Sequence, residues 1–574
     1  MRLIKWRIGF ILLILIVLCG GGEGAVGLGL RRQTTEEAYV TLLYGDEFLL
    51  GVRVLGKSIR DTGSTKDIVV LVSDGVSDYA IKLLQADGWI VEKISLLANP
   101  NQVRPTRFWG VYTKLKIFNM TNYKKVVYLD ADTIVVKSIE DLFRCEKFCA
   151  NLKHSERLNS GVLVVEPSKK IFEDMMSKVK MLPSYTGGDQ GFLNSYYADF
   201  PNAHLFEPDL SPEVLKTRTA PKMERLSTLY NADVGLYMLA NKWMVDEKEL
   251  RVIHYTLGPL KPWDWWTSWL LKPVDVWQIV RVQLHESLPG TGGGKNPNDE
   301  LLVKFLFLFP LLVLLFCYYR SFLQTRSLYD HIRHLVIMCR TGRIFGYSSV
   351  TSATIISNQV FVLIHLPFQS FKSLIHRDLV CLLHLVLRKL TVYYDELQLP
   401  NGVQLPAFLG VVSICICFMA ALVSLAMSIL IIPRQIMPWT GMLLMYEWAF
   451  TLFFLLFGSY LHLVYQWGKH VAHHVGPESV DYESGKGHSR QLSSFDVAAW
   501  HYWLGMAVLA VAAPALPCVL GITALFSRLG LMVMGGIVLA SFMTYAAEHL
   551  AITSFTGGFE DRDPQRTRSL CALC

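Results

Sequence analysis

The most informative stretch of the chain is Lys125-Val126-Val127-Tyr128-Leu129-Asp130-Ala131-Asp132. A run of mostly apolar, β-branched residues ends in two aspartates two positions apart. This pattern predicts a buried strand that delivers carboxylates to the carboxyl edge of an open α/β sheet, where such sheets bind ligands. Carboxylate oxygens suit Mg²⁺ and Mn²⁺, which commonly bridge to phosphates. The alternative is a pair of solvated loop acids, because Asp-x-Asp is frequent by chance.

A second stretch, His254-Tyr255-Thr256-Leu257-Gly258-Pro259-Leu260-Lys261-Pro262-Trp263, places an imidazole, a glycine and a lysine in one short loop. We expect His254 to complete a divalent metal site with Asp130 and Asp132. Gly258 permits a close backbone approach, and Lys261 neutralises a departing phosphate. Taken singly, His254 would more often be a core residue and Lys261 a surface residue. Together with the two aspartates, they favour a metal–diphosphate site.

The composition places part of the chain in a bilayer. Of 574 residues, 52% are hydrophobic and only 18% are charged, which is more apolar than soluble proteins usually are. The net charge of +7 is spread over termini and loops, so we predict no nucleic-acid partner. The 11 cysteines suggest no disulfide framework. Cys145 and Cys149, in the domain that carries the site, are either a disulfide or two free thiols.

The order of segments predicts an α/β domain followed by a polytopic membrane region. A basic flank and a short apolar run make residues 1–22 a signal peptide or signal anchor. Apolar runs alternate with amphipathic stretches over 36–285, the βαβ rhythm of a nucleotide-binding domain. A Gly- and Pro-rich linker covers 286–300. Transmembrane spans are then predicted at 301–319, 407–432, 439–466, 500–526 and 529–552.

Charge asymmetry predicts the orientation of the spans. Five arginines follow the first span, within a basic cytosolic or interfacial segment at 320–406. Because Lys and Arg accumulate on the cytosolic side, we expect 36–285 to be lumenal, as the amino-terminal signal also indicates. The same count places the loop around 467–497 and the tail, 553–574, in the cytosol.

The chain resembles family 8 glycosyltransferases, which include glycogenin, over roughly residues 36–270. The motifs occur in the family's order: Val40 to Asp46, Leu50 to Ser58, Tyr112 to Leu115, Asp130 to Asp132, Asn159-Ser160-Gly161, Gly187 to Gly191, and His254 to Trp263. It is most similar to the plant glycogenin-like branch with a polytopic membrane tail, in which the last loop also continues as Asp264-Trp265-Trp266. We expect residues 360–396 to be an insertion relative to that branch.

The resemblance implies a fold, a reaction and a cofactor. The fold is a Rossmann-like nucleotide-sugar domain of the GT-A type. The reaction is retaining transfer of glucuronic acid from UDP-glucuronate to a sphingolipid head group in a Golgi membrane, with Mn²⁺ as cofactor. Since the Asp189 motif shows no second strong acid, we favour same-face attack with the diphosphate as base over double displacement.

The resemblance also implies roles for individual residues. Lys114, Asp189 and Gln190 are the expected catalytic residues, and Asp130, Asp132 and His254 are the expected metal ligands. We expect Asn159 to Gly161 to be a turn before a strand at 162–165, and Asp189 also to cap a helix at 190–196. A uronate carboxylate needs a cation, for which Arg107 and Lys153 are candidates. The expected donor- and cofactor-binding set is Leu42, Tyr44, Asp130, Ala131, Asp132, Asn159, Ser160, Gly161, Thr186, Gly187, Gly188, Asp189, Gln190, His254, Gly258 and Lys261.

A cluster of tryptophans after the last loop bears on the acceptor. The cluster consists of Trp263, Trp265, Trp266, Trp269 and Trp277. Because Trp is enriched at bilayer interfaces, we expect these residues to contact the interface or a lipid acceptor, with core packing as the alternative. Two other functions stay open: sugar transfer to a xylan-type polysaccharide or a protein, and a non-catalytic membrane scaffold.

Overall fold

A computed structural model describes residues 36–101, 109–153, 156–209, 221–288, 299–324, 408–474 and 492–560. The predicted signal segment, Arg107, most of 320–406 including 360–396, and the end of the tail lie outside these residues. The eleven strands are β1 Glu37–Leu43, β2 Asp67–Val72, β3 Ile90–Lys93, β4 Lys125–Leu129, β5 Thr133–Val135, β6 Phe148–Leu152, β7 Leu158–Val165, β8 His204–Leu205, β9 Glu224–Leu226, β10 Ala232–Asp233 and β11 Val252–His254.

The α-helices of the described residues fall into two groups. Those of the α/β domain are α1 Leu49–Asp61, α2 Asp78–Ala86, α3 Lys169–Lys178, α4 Asp189–Tyr196, α5 Val234–Ala240, α6 Thr267–Leu270 and α7 Val274–Ser287. The later ones are long and apolar: α8 Asp299–Gln324, α9 Phe408–Ile431, α10 Pro438–His474, α11 Leu492–Val519 and α12 Leu525–Glu560. Short 3₁₀ turns, including Asp46–Phe48 and Val111–Asn119, join the elements of the domain.

A mixed sheet of eight strands forms the centre of the domain, in the order β3-β2-β1-β4-β7-β6-β9-β8. Strands β3, β2, β1 and β4 run parallel, whereas β7 is antiparallel to both β4 and β6. Every residue of β2, β4 and β7 is buried, as expected for strands covered on both faces. The predicted α/β class and the buried strand at 125–129 are confirmed.

A smaller sheet, in the order β10-β11-β5, brings the second sequence motif to the first. Strand β5 begins directly after Asp132. Its antiparallel pairing with β11 places His254 opposite Thr133, and the Tyr255 amide donates to the Asp132 carbonyl at 2.9 Å. Strand β10 adds a parallel pairing in which Asp233 lies opposite His254. Residues far apart in sequence therefore meet at the carboxyl end of β4.

Helix α1 packs closely against this end of the sheet. A Cβ on Gly51 would lie 2.5 Å from the Ala131 carbonyl oxygen and 2.7 Å from the Trp263 ring, so only glycine permits this approach. Trp263 and Trp277 pack in the same core cluster and are 4% and 0% exposed. The expectation that the tryptophans contact a bilayer interface or acceptor is wrong for these two, because they pack in a core to which α1 and α7 both contribute.

Three local expectations need correction or completion. Asn159, Ser160 and Gly161 lie inside β7 rather than in a turn before it, because β7 pairs with β6 through a bulge at that point. Asp189 is the first residue of α4 and does not cap it, since Gly188 occupies the cap position. Cys145 and Cys149 form a disulfide, which settles the alternative that the sequence left open.

Five helices of the described residues are long and apolar enough to cross a membrane. They overlap all five predicted spans. The fourth ends at Val519 rather than 526, because Gly521 adopts a left-handed conformation (φ +65°) and the chain turns before α12. Of the described residues, 424–450 and 509–539 belong to the same compact unit as the α/β domain, whereas 312–324, 408–423, 451–474, 492–508 and 540–560 form a second unit.

One buried ion pair on α1 generates a stability prediction. Arg53, 1% exposed, makes a bidentate pair with Asp87 at 2.6 and 3.1 Å, and burial raises the pKa of the Asp87 carboxyl. Arg53→Leu would leave that carboxylate buried beside an apolar side chain, so we expect a loss of about 3–5 kcal/mol. Thermal unfolding of the detergent-solubilised chain measures it. Lys57→Leu, which breaks the exposed Lys57–Asp61 pair on the same helix, should cost under about 1 kcal/mol; equal shifts would contradict the prediction.

Candidate active site

Two carboxylates and an imidazole converge where β4 and β11 end. The His254 Nε2 atom lies 3.3 Å from an Asp132 carboxylate oxygen and 3.9 Å from an Asp130 oxygen. One ligand atom from each of the three residues lies within 4.8 Å of the others. Asp130 and Asp132 are brought there by β4 and its sharp exit, and His254 by the pairing of β11 with β5. The geometry joins the three residues that the sequence singled out; their role as metal ligands stays a prediction.

The surroundings of His254 fit a divalent ion. Its Nδ1 atom lies 2.9 Å from the Asn231 side-chain oxygen. Asn231 donates its own amide to the Asn159 oxygen at 2.8 Å, so its oxygen is the acceptor and Nδ1 carries the proton. Nε2 is then left with a lone pair directed at the two carboxylates, and an outer hydrogen bond of this kind orients ligating histidines in metal sites. Gly161 backs the ring, since a Cβ there would lie 2.1 Å from it.

Two buried lysines balance the carboxylates. Lys261 contacts Asp132 at 2.6 Å and donates to the Tyr255 carbonyl at 2.9 Å. Lys114 lies 2.9 Å from Asp130 and 3.1 Å from Asp189. Although burial opposes it, Lys261 holds the pKa of Asp132 well below its usual range. Burial raises the pKa of Asp130 against the opposing effect of Lys114, so the two aspartates have different proton affinities.

The predicted reacting-centre residues form one hydrogen-bonded network. Asp189 accepts from the Ser160 hydroxyl at 2.8 Å. Gln190 accepts from the Asn159 amide at 3.0 Å, and Asn159 leads through Asn231 to His254. These contacts connect the start of α4 with β7 and with the group formed by Asp130, Asp132 and His254. A displacement of any one of these side chains would therefore change the hydrogen bonds of the others.

These groups line one cleft of about 520 Å³, a volume typical of small-ligand sites. Its lining residues are Leu42, Tyr44, Phe48, Val111, Lys114, Tyr128, Asp130, Ala131, Asp132, Lys153, Asn159, Ser160, Thr186, Gly188, Asp189, Gln190, Asp233, His254, Thr256 and Lys261. Of the predicted set, only Gly161, Gly187 and Gly258 are not among them. Gly161 lies directly against the His254 ring. Gly187 adopts a left-handed conformation (φ +70°) before α4.

Sequence reasoning missed several cleft residues. Asp233 lies 3.1 Å from Lys153, accepts from the Gly235 amide at 2.7 Å and binds the Thr256 hydroxyl. Burial lowers the pKa of Lys153, an effect that Asp233 partly offsets. Asn231, buried beside His254, and Asp233, which lines the cleft, carry no motif of their own, since only the pairing of β10 with β11 brings them there. The only feature of the sequence that could have indicated them is the presence of two polar residues, one on either side of Ala232, directly before the apolar helix α5.

Comparisons with known proteins identify the family to which the chain belongs. Residues 39–154 match the family described as Glycosyl transferase family 8. The chain is 62% identical over 550 residues to inositol phosphorylceramide glucuronosyltransferase 1 of Arabidopsis thaliana, covering 94% of this chain and 95% of that protein. It is 33% identical to putative UDP-glucuronate:xylan alpha-glucuronosyltransferase 3 of the same plant, covering 42% and 37%. The solved galactosyltransferase LgtC, in complex with donor and acceptor sugar analogs, shares 18% identity at a TM-score of 0.31, covering 44% and 96%.

The chain therefore belongs to glycosyl transferase family 8, and its α/β domain has a GT-A-like glycosyltransferase fold. Within that family it is similar, over nearly its whole length, to inositol phosphorylceramide glucuronosyltransferase 1. The resemblance to this group that the sequence motifs indicated is confirmed.

Asn231 provides a test of the ligand geometry. Asn231→Ala removes the acceptor for His254 Nδ1–H, so the ring loses its fixed orientation. We expect Mn²⁺ affinity to fall about 10- to 100-fold, measured by titration of free Mn²⁺ by electron paramagnetic resonance. Asn231→Asp retains an acceptor and should retain more of the affinity. Asn202→Ala, at an exposed position, is the control; an unchanged affinity in Asn231→Ala would show that His254 does not bind the ion.

Proposed function

We propose that this protein transfers glucuronic acid from UDP-glucuronate to inositol phosphorylceramide, with a divalent cation, Mn²⁺, as cofactor. One observation carries the proposal. The cleft brings Asp130, Asp132 and His254 within ligand distance of one another, in a chain whose 62% identity to inositol phosphorylceramide glucuronosyltransferase 1 extends over 94% of its length. Such a length of alignment takes in the apolar helices as well as the α/β domain.

The chain's own residues are arranged to receive a diphosphate. A divalent ion held by Asp130, Asp132 and His254 would supply positive charge to the phosphate oxygens of the donor. Lys261, 2.6 Å from Asp132, lies on the same side of the cleft and stabilises negative charge that develops on the leaving diphosphate. Lys114 performs the matching role for Asp130 and Asp189, whose carboxylates raise its pKa although burial opposes them. It therefore stays protonated through the reaction.

The arrangement around Asp189 favours same-face attack. Double displacement requires a free carboxylate nucleophile. The Asp189 carboxylate is held by Lys114 at 3.1 Å and by the Ser160 hydroxyl at 2.8 Å, and Asp233 is held by Lys153 and Thr256. We therefore assign Asp189 to binding the sugar hydroxyls and Gln190 to a position beside the anomeric carbon. The acceptor hydroxyl would lose its proton to the departing diphosphate.

Lys153 is the cation that we assign to the donor's uronate carboxylate. It lines the cleft, and its side chain is 11% exposed. Lys114 and Lys261 contact Asp130 and Asp132, so they belong to the diphosphate end. Lys153 instead contacts Asp233 at 3.1 Å and donates to the Asn231 carbonyl at 3.4 Å. A charge-assisted bond from this lysine would distinguish a uronate from the corresponding neutral sugar.

A lipid acceptor accounts for the apolar helices. A single anchor would suffice for a transferase with a soluble acceptor, yet five described helices have the length and composition of membrane spans. The xylan glucuronosyltransferase relative aligns over only 42% of this chain. The cleft's cluster of paired carboxylates and lysines argues against a non-catalytic scaffold. We place the protein in the Golgi membrane as a multi-pass protein with its catalytic domain lumenal.

Radiolabel from UDP-glucuronate tests the reaction and its acceptor together. Incubating the full chain with Mn²⁺ and inositol phosphorylceramide should move label into the organic-solvent lipid fraction. Asp130→Asn with Asp132→Asn should lower that transfer at least about 100-fold, because the diphosphate charge is no longer neutralised. Asp199→Asn, at an exposed position, should transfer normally. Label in insoluble polysaccharide or in protein, or activity surviving in the double variant, would contradict the proposal.

Lys153 gives a separate prediction about the donor. Lys153→Met should raise KM for UDP-glucuronate about tenfold or more and change KM for UDP-glucose much less, because only the first donor carries a C6 carboxylate. Lys147→Met, at an exposed position, should alter neither. Steady-state donor hydrolysis measures both constants. Equal changes for the two donors would show that Lys153 acts on the fold of the cleft and not on the uronate.

A further inference from the structure

The short connection between α9 and α10, residues 432–437, is joined to the α/β domain by a set of polar contacts. The Trp265 amide donates to the Arg434 carbonyl at 3.0 Å. The Arg281 guanidinium, fully buried, donates to the carbonyls of Gln435 and Ile436 at 2.6 and 3.2 Å. The connection is therefore fixed against the domain at its backbone and not only through exposed side chains.

These contacts fall on two segments that also line the cleft. Gln435 donates to the Glu47 carbonyl at 2.6 Å, and the next residue, Phe48, lines the cleft. Arg434 contacts Asp264 at 2.8 Å, three residues beyond Lys261, so these two residues lie at most about 11 Å apart along the chain. The Asp264 amide donates to the Lys261 carbonyl at 3.1 Å, which closes that loop tightly. Residues 434 and 435 thus contact two segments whose neighbouring residues line the cleft.

Arg434 itself is not enclosed. Its side chain is 63% exposed, whereas that of its partner Asp264 is 2% exposed. The guanidinium stacks over the Trp266 ring at 5.2 Å, which fixes its plane. Among the described residues, Arg434 donates one side-chain hydrogen bond, from Nη2 to the Asp264 carboxylate. A guanidinium carries five N–H donors in a planar fork. The remaining donors form an open, oriented anion-binding group.

The position of Arg434 along the chain places it beside lipid. It lies three residues after α9, a 24-residue apolar helix, and four before α10 begins. Five residues after Arg434, the 69% exposed Trp439 packs edge to face against Trp269 at 4.6 Å. Tryptophans at the ends of apolar helices are typical of the bilayer interface, and that is the level at which lipid phosphates lie.

We propose that Arg434, with Trp266 beneath it, binds the phosphodiester of the membrane lipid whose head group receives the sugar. This inference rests on the proposed function. In inositol phosphorylceramide, the proposed acceptor, the phosphodiester lies between the reacting head-group hydroxyl and the acyl chains. If the hydroxyl enters the cleft and the chains stay in the bilayer, the phosphate must lie at the rim between them. Arginine forks match phosphate oxygens bidentately, and Arg434 occupies that rim.

The competing explanation is that Arg434 only fastens the connection to the domain through Asp264. The two explanations differ in what they predict for the two partners. If the ion pair is a fastening, Arg434→Gln and Asp264→Asn break the same contact and have the same effect. If Arg434 binds phosphate, Arg434→Gln removes the site, whereas Asp264→Asn leaves the guanidinium free for its ligand.

The test uses the full chain in mixed micelles with inositol phosphorylceramide and UDP-glucuronate. We expect Arg434→Gln to raise KM for the lipid about tenfold or more and to raise KM for the donor much less. Arg434→Lys should lie between, because it keeps charge without the fork. Asp264→Asn should not raise KM for the lipid. Lys272→Gln, an exposed cation eight residues beyond Asp264, is the control and should behave as wild type.

Two further measurements separate the possible failures. Phosphatidylglycerol, which carries a phosphodiester without inositol, should compete with the acceptor lipid in wild type and much less in Arg434→Gln; equal competition in the two would count against the Arg434 site. Direct binding of inositol phosphorylceramide to the solubilised protein, without donor, distinguishes the site from the reaction. Binding that depends on Arg434 without any transfer would overturn the proposed function only. Equal effects of Arg434→Gln and Asp264→Asn, or an unchanged lipid KM, would overturn the Arg434 site.

Discussion

The antiparallel pairing of β11 with β5 is the constraint on which the site depends. Strand β5 starts immediately after Asp132, so the pairing register decides which residue lies beside the carboxylates. A shift of one residue would turn His254 to the opposite face of the strand and remove it from the cluster. The hydrogen bond from the Tyr255 amide to the Asp132 carbonyl ends this pairing at the position that the site requires.

Charge compensation is the second organising feature of the cleft. Each of its three lysines contacts an aspartate: Lys114 with Asp130 and Asp189, Lys261 with Asp132, and Lys153 with Asp233. Buried charges persist in a protein only when they are paired and hydrogen-bonded. The carboxylates thus lie beside a histidine whose orientation Asn231 fixes, and the lysines are kept where an incoming polyanionic donor would meet them. Stability of the cleft and readiness for a charged ligand come from the same contacts.

The sequence predicted the parts of this site that are encoded locally. The β-branched run before Asp130 and the His254 loop each carry their own pattern, and the order of motifs linked them. Asn231 and Asp233 were not predictable, because only the parallel pairing of β10 and β11 brings them beside His254. The β7 boundary was misplaced since a glycine and two small polar residues favour turns unless neighbouring strands pair with them. Trp263 and Trp277 were assigned to an interface because composition alone does not show that they pack in a core to which α1 and α7 both contribute.

The binding of one divalent ion by Asp130, Asp132 and His254 is tested most directly by a crystal structure of the full chain with Mn²⁺ and UDP. The data would be recorded with anomalous scattering at the manganese edge. We expect one anomalous peak coordinated by Asp130, Asp132, the Nε2 atom of His254 and oxygens of the diphosphate, with Nδ1 still bonded to Asn231. A peak elsewhere in the cleft, or a diphosphate bound without the imidazole on the ion, would contradict it.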